Sequence, residues 1–218
     1  MGRSGLFACS VVVSNPFSPG GATRRGAVML LLVLGLVLFL GIHSLRIAGD
    51  GPRAAIVARL GDGPYKGLYS VLSLAGLVLI GQGYGHALAA SGMAWTPPTG
   101  LRHLALLLVP IAFVLVASAY APAGRIKRLA RHPMVLGVGL WALGHLLANG
   151  ETANVVLFGA FLVWAAADYA GSLRRAPQPV AGPVSPKGDA IAVTVGLGLA
   201  LAFILGLHQW LIGVSPLQ

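Results

Sequence analysis

The sequence is poor in charge: Asp, Glu, Lys and Arg make up only 9% of its 218 residues, and just five of them are acidic. A water-soluble domain of this size cannot cover itself with so few ionic groups while 56% of its residues are hydrophobic, so lipid is the solvent for most of the chain. Cysteine is scarcer still. Cys9 stands alone, which excludes an internal disulfide framework and any cysteine-rich metal centre. No carboxylate lies in the middle of a long apolar run and no repeated halves are evident, which leaves an ion-coupled transporter little to work with.

What is present is apolar length. Windows of about 19 residues, the scale on which a helix crosses hydrocarbon, predict six segments at 28–47, 68–89, 102–120, 133–149, 153–170 and 190–212. The expected fold is therefore all-α, a polytopic transmembrane helical bundle of about six spans. Between the segments lie stretches such as "GDGPRAAIVARLGDGPYKG" and "APAGRIKR", read as loops, and one Pro/Gly-rich linker, "RRAPQPVAGPVSPKGD".

The net charge of +10 follows the same plan. Arg46, Arg53, Arg59 and Lys66 flank the first connection, Arg125, Lys127, Arg128 and Arg131 the third, and Arg174, Arg175 and Lys187 the fifth, together eleven of the fifteen basic residues. Such clustering is the mark of membrane topology, not of nucleic-acid binding. It predicts cytoplasmic odd loops and both termini outside, with the lipid bilayer as the chief partner. Arg3, Arg24 and Arg25 conflict with that orientation. A start at Met29 removes the conflict, so residues 1–28 are expected to form a disordered extension and 29–218 the membrane domain. "LFAC" resembles a lipoprotein cleavage box, but only five residues precede Leu6, too few for a charged region and an apolar core.

Depth sorts the histidines. His132 and His145 are thirteen residues apart on one predicted helix, about 20 Å along its axis, so they serve different sites. His145 falls in the outer half with His86, His103 and His208. His43 and His132 fall in the inner half near Arg46, Arg131 and Asp168. Gly137, Trp141, His145 and Asn149 recur every four residues and predict a stripe facing the protein interior, because an imidazole or amide pointed at lipid would lack partners. Gly137 and Gly144 would let another helix approach closely. His86 and His208 read as solvated, Trp95 and Trp210 as interfacial anchors, and "GQGYG" as a flexible helix end.

The stretches "LGLVLFLGIHSLRI", "RLGDGPYKGLYSVLSLAGLVLI", "WTPPTGLRHLALLLVPIAFVLVASAY", "RLARHPMVLGVGLWALGHLLANG" and "HQWLIGVSP" together resemble the NnrU family of bacterial integral membrane proteins, from about residue 29 to the C-terminus. The resemblance implies an association with denitrification and nitric-oxide-responsive genes. A relative of that family, the 15-cis-zeta-carotene isomerase, looks like a haem b protein with helix-borne histidine ligands. Through the "IHS" and "RHP…GH" elements it implies His43, His132 and His145 as candidate haem residues, with His145 and His43 as the iron pair. The isomerase has a cysteine where this chain has Ala142, which removes a thiolate ligand. Depth independently makes His103 a candidate partner of His145. "RHPMVLG" also resembles an element of isoprenylcysteine-type membrane methyltransferases, but the acidic and aromatic segment that those enzymes place downstream is missing. Two function classes stay open: a haem-binding protein of redox, isomerase or nitrogen-oxide chemistry, and a non-catalytic factor that assembles or regulates membrane protein partners.

Overall fold

A computed structural model describes residues 19–47, 49–175 and 183–217. Among them every long apolar stretch is helical, as backbone groups placed in lipid require. The helices are α1 (Pro19–His43), α2 (Asp50–Leu60), α3 (Asp62–Ala90), α4 (Thr99–Tyr120), α5 (Arg125–Ala130), α6 (Pro133–Ala148), α7 (Thr152–Arg174), α8 (Pro186–Ala202) and α9 (His208–Ile212). Five helical stretches are long and apolar enough to cross a membrane: Gly26–His43, Asp62–Ala90, Thr99–Tyr120, Thr152–Arg174 and Pro186–Ile212. The sixth expected segment is α6, whose 16 residues rise only about 24 Å. The boundary expected at Met29 falls inside α1, which begins at Pro19, and residues 1–18 lie outside the described residues.

The first connection is not a loop. The tetrapeptide Gly-Asp-Gly-Pro occurs at 49–52 and again at 61–64, and each copy opens a helix. The leading Gly49 and Gly61 take φ values of 99° and 84°, which a side chain would resist. In the second copy Asp62 lies in the first turn, where the positive end of the helix dipole stabilises its charge, and in both Pro sits where its missing N–H is not needed. Glycine and proline were read as breaks; here they are starts, so α2 was missed and α3 begins six residues before the expected span. The third connection likewise contains α5. Its first N–H groups, those of Arg125 and Ile126, donate to the Asp189 carboxylate of α8, each at 2.9 Å.

The long helices stand in a row. α3 packs along α1, α1 touches α7, α7 lies against α6, α6 against α4, and α4 against α8. Small residues set the closest crossings. A methyl added at Gly83 of α3 would lie 2.5 Å from the backbone nitrogen of Leu32 on α1. As expected from the sequence, Gly137 and Gly144 admit a neighbour: added methyls would lie 2.8 Å from Val116 and 2.9 Å from Val109, both on α4.

At the end away from the basic loops, two connections are clasped together. Gly150 accepts from Ala94 at 2.7 Å and from Trp95 at 3.2 Å, and Gly92 accepts from the Thr152 backbone at 2.9 Å. Met93 and Glu151 form an isolated antiparallel bridge there.

Gly83→Ala should destabilise the fold by about 1–3 kcal/mol, because the added methyl meets backbone that cannot rotate away. Gly85→Ala, on the same helix with open space at its Cβ position, should be neutral or slightly stabilising. Thermal unfolding of both purified variants in detergent checks the pair, and equal midpoints would refute the close crossing.

Candidate functional site

One face of α7 organises the interior. Asn154, Phe158, Phe161, Trp164, Asp168 and Ser172 follow one another at steps of three or four residues, the spacing that stacks side chains along one side of a helix. Against the upper part of this face lies His145, near the clasped end. Its ring stacks on Phe158 with centroids 4.5 Å apart and planes 27° apart, and contacts Trp141 at 5.0 Å. Its Nδ1 is 2.9 Å from the Trp141 carbonyl oxygen. A carbonyl only accepts, so Nδ1 carries the proton and Nε2 of the neutral ring keeps its lone pair.

His208 is the imidazole beside it, 6.4 Å between centroids with planes 23° apart. Expected to be solvated, His208 is half-buried. The π-helical turn Phe203–Leu207 and a kink at Gly206 carry it there, and neither leaves a periodic signal. The same protonation logic applies, since its Nδ1 lies 2.6 Å from the Val214 carbonyl.

His43, toward the basic end, uses the same device with the Phe39 carbonyl at 2.6 Å. Its ring meets Phe39 at 4.3 Å, Tyr69 at 5.3 Å and Trp164 at 6.3 Å. His43 and His145 do not meet. Phe39, Phe161 and Trp141 form the path between them, with successive centroid distances of 6.0 and 5.6 Å. His103, the other candidate partner, is exposed on α4.

The expected stripe on α6 divides between two neighbours. Gly137 faces α4, whereas Trp141 and His145 face α7. Each four-residue step turns about 40° beyond a full circle, and the two steps from Gly137 to His145 are enough to change neighbours. Asn149 lies beyond the helix end, where its amide donates to the His145 carbonyl at 2.9 Å, closing α6 instead of lining the interior. Arg131 is not interior either: it is exposed, with φ 57° and ψ −51°. The His132 N–H reaches the Ala130 carbonyl at 2.5 Å across it, so Arg131 is the centre of a γ-turn of the strained, positive-φ hand. His132 caps α6 and packs edge-on against Tyr169 at 6.3 Å.

Two polar clusters on α7 were not anticipated. Near the clasped end, Tyr84 donates to Asn154 Oδ1 at 2.6 Å, and Asn154 Nδ2 donates to Glu151 at 2.7 Å, with Asn154 only 3% exposed. Toward the basic end, the buried Asp168 carboxylate lies 3.6 Å from Arg175 and accepts from Ser172 at 3.5 Å. Among the described residues, no three His, Cys, Asp or Glu side chains converge as a metal ion would need without other ligands. Haem asks less of the protein, since its porphyrin supplies four donors.

A row of apolar helices with polar groups confined to their shared faces defines a multi-pass membrane protein of the helical-bundle class. The family model described as NnrU protein matches residues 31–216, nearly the whole chain, and the chain belongs to that family. No curated protein and no solved structure matches it.

Tyr84→Phe should cost about 1–3 kcal/mol by leaving the buried Asn154 oxygen without its donor. Asn154→Leu should cost at least as much, and the double variant less than the sum, because both act on one network. Thermal unfolding of the three proteins checks this, and full additivity would show the hydrogen bond to be inert.

Proposed function

We propose that this protein binds haem b in the membrane, with His145 as an iron ligand, and serves nitrogen-oxide or denitrification metabolism. The observation that carries the reading is the protonation pattern at His145. A helix carbonyl holds its Nδ1–H, so the remaining nitrogen presents a lone pair, and a second imidazole in the same state lies next to it. His145 and His208, 6.4 Å apart between ring centres and each with its Nδ1 proton given to a backbone carbonyl, are the residues that would hold the iron. The donor set fits haem, and Phe158 and Trp141 offer flat apolar surface beside it.

Bound haem would supply one-electron chemistry at iron. The residues of this chain fix the tautomer and exclude water: Trp141 holds the His145 proton, Phe158 covers the ring, and the Val214 carbonyl orients His208. His43 remains a candidate for a separate role, and His103 and His132 are less suited to iron, the first exposed and the second at the N-cap of α6.

Protein purified after expression with ample haem should show a Soret band. His145→Ala should abolish or shift it, and His208→Ala should do the same, whereas Asn149→Ala and His132→Ala should leave it in place. Wild-type protein without haem, or a spectrum unchanged in His145→Ala, would overturn the assignment and favour a non-catalytic assembly or regulatory factor.

The basic residues support an orientation as well. Arg53, Arg59, Lys66, Lys127, Arg128 and Arg174 gather at one end, which we assign to the cytoplasmic face of a bacterial inner membrane. A reporter fused after Gln218 should then report a periplasmic location, and cytoplasmic activity would refute that orientation.

A further inference from the structure

At the basic end, His43, α2, the first turns of α3 and the lower half of α7 enclose a partly open cavity of about 390 Å³. A cavity of this volume is within the range of small-ligand sites. Its walls are unusually ring-rich: His43, Tyr65, Tyr69 and Trp164 all line it, with the two tyrosine centroids 6.2 Å apart. Apolar positions of α1, α3 and α7 continue from it toward the membrane interior.

Its polar atoms are complementary to a particular ligand chemistry. The indole N–H of Trp164 is buried and has no hydrogen-bond partner, an unfavourable state unless something supplies an acceptor. Beside it, 6.3 Å between ring centres, His43 has its Nδ1–H committed to Phe39, which leaves Nε2 as the acceptor of the ring. One unmatched donor and one acceptor nitrogen, set among flat rings, suit a ring that bears a carbonyl in one state and a hydroxyl in another. An anionic headgroup is served less well. Arg53 lies over the Tyr65 ring at 5.5 Å and Lys66 is paired with Asp62 at 2.5 Å, so both cations are engaged at the exposed rim, and the deeper wall carries the Asp168 carboxylate.

We propose that this cavity binds the head ring of a membrane-dissolved quinone or quinol, with Trp164 donating to a ring carbonyl and His43 accepting from a ring hydroxyl. Tyr65 and Tyr69 flank the ring, and the isoprenoid tail leaves along the apolar helix faces. The site is distinct from His145, which lies beyond the Phe39, Phe161 and Trp141 rings. It stands without the haem reading, and the test works on protein with or without haem.

The test is calorimetric titration of decylubiquinone into the full chain, freed of native quinone and held in phosphatidylcholine nanodiscs. Saturable binding near one ring per protein is expected, above the partitioning seen with empty discs. Trp164→Phe and His43→Phe keep the rings but lose the hydrogen bonds, and each should weaken binding about three- to tenfold. Trp210→Phe, on the exposed α9, should not. Should either variant unfold, competition on the wild type decides: menadione, which has the ring without the tail, should displace decylubiquinone, and decanol should not. The proposal is overturned by heats no larger than those of empty discs, by unchanged affinity in both folded variants, by displacement with decanol, or by loss of binding when phosphatidylglycerol enters the disc, which would mark an anionic-lipid site.

Discussion

An imidazole in hydrocarbon cannot take its missing hydrogen bond from water, and the interior of this protein is arranged around that constraint. Three histidines meet it in one way, by giving the Nδ1 proton to a nearby backbone carbonyl. For His43 and His145 the acceptor is four residues earlier on the same helix, so the solution is local and survives small shifts between helices. Its consequence is chemical. Each ring is left with an acceptor nitrogen whose partner must come from elsewhere, and the two rings sit at opposite ends of the aromatic path along α7.

That path depends on α7 standing between the two halves of the row. α1 and α3 bring His43, Tyr69 and Tyr84; α6 brings Trp141 and His145; α7 touches both groups. From Asn154 to Ser172 its inner face rises about 27 Å, close to the thickness of the hydrocarbon, so one helix spans from the clasped loops to the basic end. The flanking pairs α1–α3 and α4–α6 are held by close crossings at small residues. Lipid tails are as apolar as leucine, so tight backbone approach, not apolar burial, distinguishes a right neighbour from a wrong one.

Much of this was legible in the sequence because lipid imposes simple rules. Apolar length identified five spans and a sixth, shorter apolar helix, α6, and Gly137 with Gly144 correctly announced a close neighbour. That His145 and His208 lie toward one end and His43 toward the other also agrees with the structure, because position along a helix depends only on residue count at a fixed rise per residue. Punctuation was misread where one residue type has two uses. Glycine and proline at 49–52 and 61–64 signal a helix start as readily as a break, and the choice depends on backbone angles that composition does not express. The stripe through Gly137, Trp141, His145 and Asn149 failed for a geometric reason, since a four-residue repeat drifts around the helix and reaches two neighbours in turn.

The sequence by itself determined that the chain is a helical membrane protein, where its long apolar stretches lie, which end is basic and which histidines lie toward the same end. Each follows from hydropathy, charge or rise along a single element. Only the tertiary structure decided which rings meet. His208 reaches His145 through a kink at Gly206, Trp164 and Tyr69 gather around His43, and Asn154 joins Tyr84 to Glu151. These contacts join residues far apart in the chain, and they depend on how each helix is rotated about its axis. In a row of uniformly apolar helices that rotation leaves little trace in hydrophobic periodicity; it is set by the small-residue crossings and by the need of each buried polar atom for a partner.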